Sequence, residues 1–263
     1  MNIGISTAIF YPDTFTEDAL RLVSSKGFNT GEIFANSFSE FTEDYAHMLK
    51  ERSRKLDFTI NSIHTVSSAF EPYLFDRYER RREDFFKIFK DFMKFGNIVG
   101  AKVYTFHGLV NNHGNKIAFK DILYVYDRLV YTALEQGIMI GQENVSWCLS
   151  SDLEYLKRLR DGMKEPLKFT LDVKQAVKAG KSPYDYLDLY GEDLVNLHLN
   201  DNDDTHSCLL PGKGTFDFGE LFSRVKKAGY QGPGIIEVYK ENYDTLEDLR
   251  QSKLILEAIS DKD

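Results

Sequence analysis

Four β-type runs in this chain end on a side chain able to ligate a cation or carry a proton. Residues 195–201, Val-Asn-Leu-His-Leu-Asn-Asp, put His198 at the end of such a run. The stretch 138–143 ends on Glu143, 167–172 on Asp172 and 234–237 on Glu237. Two earlier runs end on His64 and His107. A single histidine or glutamate at a strand end is commonly a satisfied polar residue or a cap. Six in successive units are different, because charged groups converging on one mouth desolvate and repel one another unless a cation compensates. Two Glu, one Asp and one His make an oxygen-rich set with one nitrogen, which suits Mn²⁺ or Mg²⁺, accepts Zn²⁺ or Co²⁺ and gives thiolate-seeking metals nothing. One such ion with open positions can hold a carbonyl and a neighbouring hydroxyl of a sugar, acidify the C–H between them and stabilise the enediolate. Glu143 and Glu237 are then the candidate base and acid.

Groups this far apart in sequence meet only if repeated elements bring them together. The chain alternates β-type runs with segments whose apolar residues recur at three and four. Strands are expected at 3–8, 28–34, 58–64, 102–107, 138–143, 167–172, 195–201 and 234–238. Helices are expected at 16–26, 40–56, 76–99, 116–136, 152–161, 175–179, 184–190, 217–228 and 246–259. Units of about 33 residues have the length a βαβ crossover needs. An open doubly wound sheet would serve the alternation as well, but eight complete units favour closure into a (β/α)₈ TIM barrel, α/β in class, a single domain over 1–263. Catalytic groups in that fold lie at the carboxyl ends of the strands.

Period-two alternation offers a check, since the residue two before each candidate should point inward one layer lower. Those residues are Ser62, Thr105, Gly141, Thr170, Asn196 and Ile235. Five of the six are small or polar where a purely structural layer favours Val, Ile and Leu. The layer reads as a set of supports that orient ligands.

Composition removes several classes. With 42% hydrophobic and 28% charged residues among 263, an ordinary globular core can form. No run reaches the roughly 18 apolar residues of a membrane span, and the first residues read as a strand and not as a leader, so a cytoplasmic protein is expected. Cys148 and Cys208 have no metal-type spacing and read as free thiols. A net charge of −8 repels polyanions, so nucleic acid is a disfavoured partner. A homo-oligomer stays open.

Certain motifs carry a resemblance: Glu143 in Gln-Glu-Asn, Asp172 in Leu-Asp-Val-Lys-Gln-Ala, His198 in His-Leu-Asn-Asp, the Leu-Pro-Gly-Lys-Gly-Thr-Phe-Asp-Phe turn from Leu210, and Glu237 in Ile-Ile-Glu. Together they resemble the xylose isomerase-like TIM barrel superfamily over nearly the whole chain. The branch most similar is that of sugar or sugar-phosphate isomerases and epimerases, which includes ketose 3-epimerases and inosose dehydratases. The resemblance implies one divalent ion, Mn²⁺ foremost, held by Glu143, Asp172, His198 and Glu237, with the two glutamates also transferring the proton. It implies a small-molecule sugar substrate contacted by His64, His107, Gln175 and His206. In the epimerases a histidine usually stands where this chain has Gln175, an amide that hydrogen-bonds but does not titrate near neutrality.

Two other readings remain. The endonuclease IV branch of the superfamily cuts DNA at abasic sites with three zinc ions; His64, His107 and Glu143 match one site, the quartet another, and Asp204 to His206 part of a third. Gln175 again replaces a histidine there, and no basic run interleaved with aromatics appears. A sugar-binding barrel without chemistry would not need both glutamates. Of the remaining candidates, His206 has a plain loop residue as its alternative, and Lys213 a plain turn. The Arg77, Arg80, Arg81 and Arg82 cluster, interleaved with acids, reads as a solvated helix face. The aromatic stripe of 85–95 reads as core. Trp147 is either a floor for the sugar or loop packing, His47 and His113 read as solvent-exposed, and Glu32 is a polar strand-end residue with no assigned role.

Overall fold

A computed structural model of the chain describes residues 1–111 and 117–261. Its eight described strands are β1 (Ile3–Ser6), β2 (Thr30–Ala35), β3 (Thr59–Thr65), β4 (Val103–Phe106), β5 (Met139–Glu143), β6 (Lys168–Asp172), β7 (Leu194–Leu199) and β8 (Gly234–Ile236). Each pairs in parallel with its sequence neighbours, and β1 pairs with β8, so the sheet closes in chain order into the expected TIM barrel. Parallel neighbours cannot be joined by a hairpin. The crossovers carry α1 (Thr16–Ser24), α2 (Glu43–Lys55), α3 (Glu79–Val99), α4 (Phe119–Leu134), α5 (Leu153–Gly162), α6 (Val173–Lys178), α7 (Pro183–Tyr190) and α8 (Phe218–Lys227), and α9 (Leu246–Ser260) follows β8.

Element ends shift where side chains intercept the backbone. The first strand stops at Ser6, whose Oγ accepts from the Ala8 N–H at 3.3 Å as the chain tightens into a 3-10 turn at Thr7–Phe10. The second helix starts at Glu43, not at residue 40, because Thr42 caps it by accepting from the Tyr45 N–H at 3.3 Å. The eighth strand ends before Glu237, yet the Glu237 N–H still donates to the Leu199 carbonyl at 3.0 Å. Lys116, placed at the start of a helix, and His113, placed in solvent, lie outside the described residues.

The aromatic stripe is core, as expected. Phe86, Phe89, Phe92, Met93 and Phe95 of α3 are buried, with Phe89 and Phe92 against Tyr104 of β4 at centroid distances of 6.0 and 5.2 Å. Each such burial contributes about 1.5–3 kcal/mol, which fixes α3 against β4. The basic cluster at its start is turned outward: Arg77, Arg80 and Arg81 are exposed, and Arg81 Nε donates to Asp76 at 2.6 Å. No described helix is long and apolar enough to cross a membrane.

The barrel wall has an irregularity beneath its mouth. The β2–β3 register slips between Gly31 and Glu32, and a Cβ on Gly31 would stand 2.1 Å from the Ile5 carbonyl of β1. Only glycine allows that approach, and the slip beside it accompanies the turn of Glu32 into the barrel.

Candidate functional site

Each strand-end group is held by its neighbours in a way its sequence motif explains. In Gln142-Glu143-Asn144 the flanking amides reach sideways. Gln142 Nε2 donates to the Phe106 and His107 carbonyls of the β4 end at 3.1 and 3.0 Å. Asn144 exchanges two hydrogen bonds with the Asp172 backbone of β6 at 2.9 and 2.8 Å. Glu143 between them is left to face the barrel axis. Asp172 ends β6 and caps α6 at once: its Oδ1 accepts from the Gln175 N–H and from Asn200 Nδ2, both at 3.0 Å. The other oxygen, Oδ2, is buried and accepts no hydrogen bond.

The register sets Asp172 beside His198. Around His198 Nδ1 lie Glu237 Oε2 at 3.2 Å, Glu143 Oε1 at 3.3 Å and Asp172 Oδ2 at 3.7 Å. All four residues are buried, and one donor atom from each falls within 4.8 Å of the others. The residues fit a divalent ion on two counts: the donor set is three carboxylates and one imidazole, and the Asp172 oxygen aimed into the cluster accepts no hydrogen bond and is faced instead by a cation, Lys174 Nζ, at 3.3 Å.

The far ring nitrogen, His198 Nε2, meets Glu32 Oε2 at 3.2 Å. The same oxygen accepts from Thr105 Oγ1 at 2.7 Å, Ser62 Oγ at 2.8 Å and Asn196 Nδ2 at 3.1 Å. Three members of the polar layer expected beneath the site thus converge on one carboxylate. Glu32 holds the ring with Nδ1 toward the quartet, the arrangement by which a carboxylate orients an imidazole ligand.

Electrostatics follow from burial and neighbours. Burial would raise the Glu237 and Glu143 carboxyls. His198 and Lys174 outweigh it at Glu237, and His107 and His198 at Glu143, so both are held well below the usual carboxylate range. Burial would lower His198, but Glu237 and Glu32 hold it well above an ordinary imidazole. Burial keeps the Asp172 carboxyl raised, although Lys174 pulls it down. His64 is lowered to about 4 by burial and by His107, whose Nε2 is 3.0 Å from its own. His107 is raised, because Glu143, 2.8 Å away, overcomes its burial.

Above the quartet opens a cavity of about 220 Å³ lined by residues that include His64, His107, Trp147, Lys174, Gln175 and Tyr239. Gln175 is at its wall, with Oε1 accepting from the Ser146 N–H and Oγ at 3.1 and 2.9 Å. Trp147 stands edge-on to His107, 5.3 Å between centroids. His206 does not join this group: its side chain is 61% exposed, and its Nδ1 and backbone N–H face Asp203 in a local turn. Lys213 and His47 are exposed. Asp201, at the start of the following loop, spends its carboxylate on the N–H groups of Asn202, Gly212, Gly214 and Phe216 at 2.9–3.0 Å.

Glu32, Lys174 and Glu71 are the polar residues that sequence reasoning left without a role. Glu32 and Lys174 share a signal, an ionisable side chain within two residues of a predicted strand or helix boundary, that is too common to stand out, and Glu71 falls between the predicted strand at 58–64 and helix at 76–99 with no local signal. Glu71 is fully buried; its Oε2 accepts from the His107 and Gly108 N–H groups at 2.9 and 2.8 Å, and Tyr104 Oη donates to its Oε1 at 2.5 Å. Burial pushes its carboxyl up to about 7, against the pull of His107. The folded protein therefore keeps a proton here that the unfolded chain releases near 4.5, and the contribution to stability falls as pH rises from there to about 7. Glu71→Gln is expected to remove that slope, gaining on the wild type by up to about 3 kcal/mol across this window. Denaturant melts at a series of pH values test it, and parallel curves for the two proteins would refute it.

A closed (β/α)₈ barrel with carboxylates and imidazoles gathered at the carboxyl ends of its strands defines a TIM barrel with a polar centre at its mouth. The sequence profile of the xylose isomerase-like TIM barrel family matches residues 20–259, and the chain belongs to that family. None of the curated proteins compared matches the chain. Among solved structures, a D-tagatose 3-epimerase-like protein superposes with a TM-score of 0.81 at 21% identity, covering 100% of this chain and 98% of its own. A 3-keto-D-glucoside 4-epimerase from E. coli gives 0.78 at 17%, covering 98% and 99%. The IolI protein with a bound zinc atom gives 0.79 at 18%, covering 100% and 99%.

Proposed function

We propose that this protein is a divalent-metal-dependent isomerase or epimerase of a sugar, sugar phosphate or cyclitol, working by proton transfer at a carbon next to a carbonyl. The observation that carries the reading is the convergence of Glu143 and Glu237 on one imidazole nitrogen beneath a small cavity. Glu143, Asp172, His198 and Glu237 would hold the ion, with Mn²⁺ the metal of choice for so oxygen-rich a set. When bound, the ion supplies Lewis acidity that polarises the carbonyl and steadies the charge that develops on its oxygen. The protein supplies the rest. Glu143 and Glu237 come from strands three apart around the barrel and reach the substrate carbon from different directions, one taking the proton and the other returning one. His64, His107 and Gln175 line the cavity where hydroxyls need partners, and Trp147 gives a sugar ring an apolar wall. The similarity to a tagatose 3-epimerase-like protein and a ketoglucoside 4-epimerase supports the same substrate class. The buried free thiols Cys148 and Cys208 suit a reducing, cytoplasmic compartment.

The abasic-site nuclease reading has one observation in its favour, the cluster of His64, His107 and Glu143, whose donor atoms lie within 4.8 Å of one another. Against it, none of the candidate ligand clusters among the described residues includes His206 or Asp204, and the net charge is −8. Incubating the Mn²⁺-loaded protein with a panel of ketoses in D₂O is expected to put deuterium at one carbon, read by NMR, with about one ion bound per chain. Absence of exchange with every sugar, two or three zincs per chain and cleavage of an abasic-site duplex would move the protein to the nuclease branch.

A further inference from the structure

A buried lysine stands where the metal's charge would be. Lys174 lies two residues after Asp172 in α6 and is buried. Its Nζ is 3.3 Å from Asp172 Oδ2 and 3.1 Å from Glu237 Oε2. Those are the same two oxygens that face His198 Nδ1. No other lysine or arginine pairs with a member of the quartet among the described residues. The ammonium also lies 4.9 Å from the centre of the Tyr239 ring, a wall of the cavity, and Lys178 Nζ sits 4.5 Å from that ring.

We propose that Lys174 is a resident cation that exchanges with the divalent ion. In the metal-free protein it balances Asp172 and Glu237, metal loading displaces it from them, and its presence weakens metal affinity. The inference rests on the metal reading given above. An oxygen-ligated divalent ion sits roughly 2.0–2.6 Å from its carboxylates, so an ammonium about 3 Å from the same oxygens competes for the same field. Without a cation, three carboxylates around one imidazole would repel one another in a dry site. With both cations seated together, the repulsion would fall between them instead. Lysine suits an exchange that arginine would not: its charge is a compact point on a flexible four-carbon stem. The Tyr239 ring, already 4.9 Å from the paired ammonium, retains it by cation–π attraction on the cavity side when the ion takes the carboxylates. From there Nζ faces whatever occupies the cavity.

Lys174→Met keeps the stem and deletes the charge. Mn²⁺ affinity, measured by competition with a chromophoric chelator, is expected to be at least tenfold tighter in K174M than in the wild type. The metal-free variant is expected to melt at a lower temperature, and saturating Mn²⁺ to raise its Tm by more than it raises that of the wild type. K174Q, also uncharged but polar, carries the comparison if K174M does not fold without metal. In the wild-type protein, amine-directed labelling read by peptide mass spectrometry should find Lys174 protected without Mn²⁺ and modified with it. Equal or weaker affinity in both variants, or labelling of Lys174 that ignores Mn²⁺, overturns the exchange while leaving the metal reading standing. Binding of Mn²⁺ by neither wild type nor variants overturns both.

Discussion

Replacing Glu237 by glutamine is expected to lower proton exchange at the substrate carbon by about 10²–10⁴-fold, the usual worth of a positioned acid or base, and to leave the barrel intact. The backbone at 237 is held by its N–H on the Leu199 carbonyl, which does not involve the side chain. The substitution is nearly isosteric, and the amide oxygen still accepts from Lys174 Nζ, now 3.1 Å from the carboxylate. What disappears is basicity. In the wild type His198 and Lys174 outweigh burial and keep this carboxyl ionised at neutral pH, the form that takes a proton. Deuterium uptake from D₂O reads the chemistry, circular dichroism the fold, and Mn²⁺ content separates loss of the base from loss of the ion. An E237Q protein that holds Mn²⁺ and still exchanges at the wild-type rate would remove Glu237 from proton transfer.

The second large effect belongs to a residue that touches no substrate. Glu32→Gln is expected to weaken Mn²⁺ binding by about 10–100-fold, the cost typical of losing the partner that orients an imidazole ligand. Glu32 Oε2 gathers His198, Ser62, Thr105 and Asn196 within 3.2 Å. A glutamine must point either its oxygen or its NH₂ at that group of donors, and it brings no charge to balance the imidazole. His198 then loses the contact that fixes its ring. The chelator competition that should move one way for K174M should move the other way for E32Q, so the two variants control for each other. Unchanged affinity in E32Q would reduce Glu32 to a packing role.

That contrast marks what the sequence could convey. Strand ends were legible because each is a local pattern: an apolar run, then Glu143, Asp172, His198 or Glu237. The polar layer beneath followed from strand parity alone. Glu32 was visible but mute, since its partners lie 30, 73, 164 and 166 residues away, and only barrel closure with the slip at Gly31 brings them to it. Lys174 failed for a related reason. A lysine in the first turn of a short helix reads as solvated, and nothing local announces that Asp172 and Glu237 will bury it. His206 shows the opposite case: the sequence offered substrate contact or a plain loop residue, and in the structure Asp203 holds its N–H and Nδ1 in a turn of four residues, away from the quartet, a purely local pairing.

Asp201 grips the loop after β7 through four main-chain amides, so the loop's shape is written in backbone and not in side chains. Two positions are fixed in identity: Gly212, whose φ is 90°, and Gly214, where a Cβ would come within 2.4 Å of Asp201 Oδ1. The exposed residues 204–206 can change without loosening the grip, whereas Cys208 and Leu210, between them and that turn, are buried in the core. The loop is thus a cassette. The side chains of its exposed tip can be exchanged to suit a new ligand while the strand-end chemistry beside it is inherited unchanged.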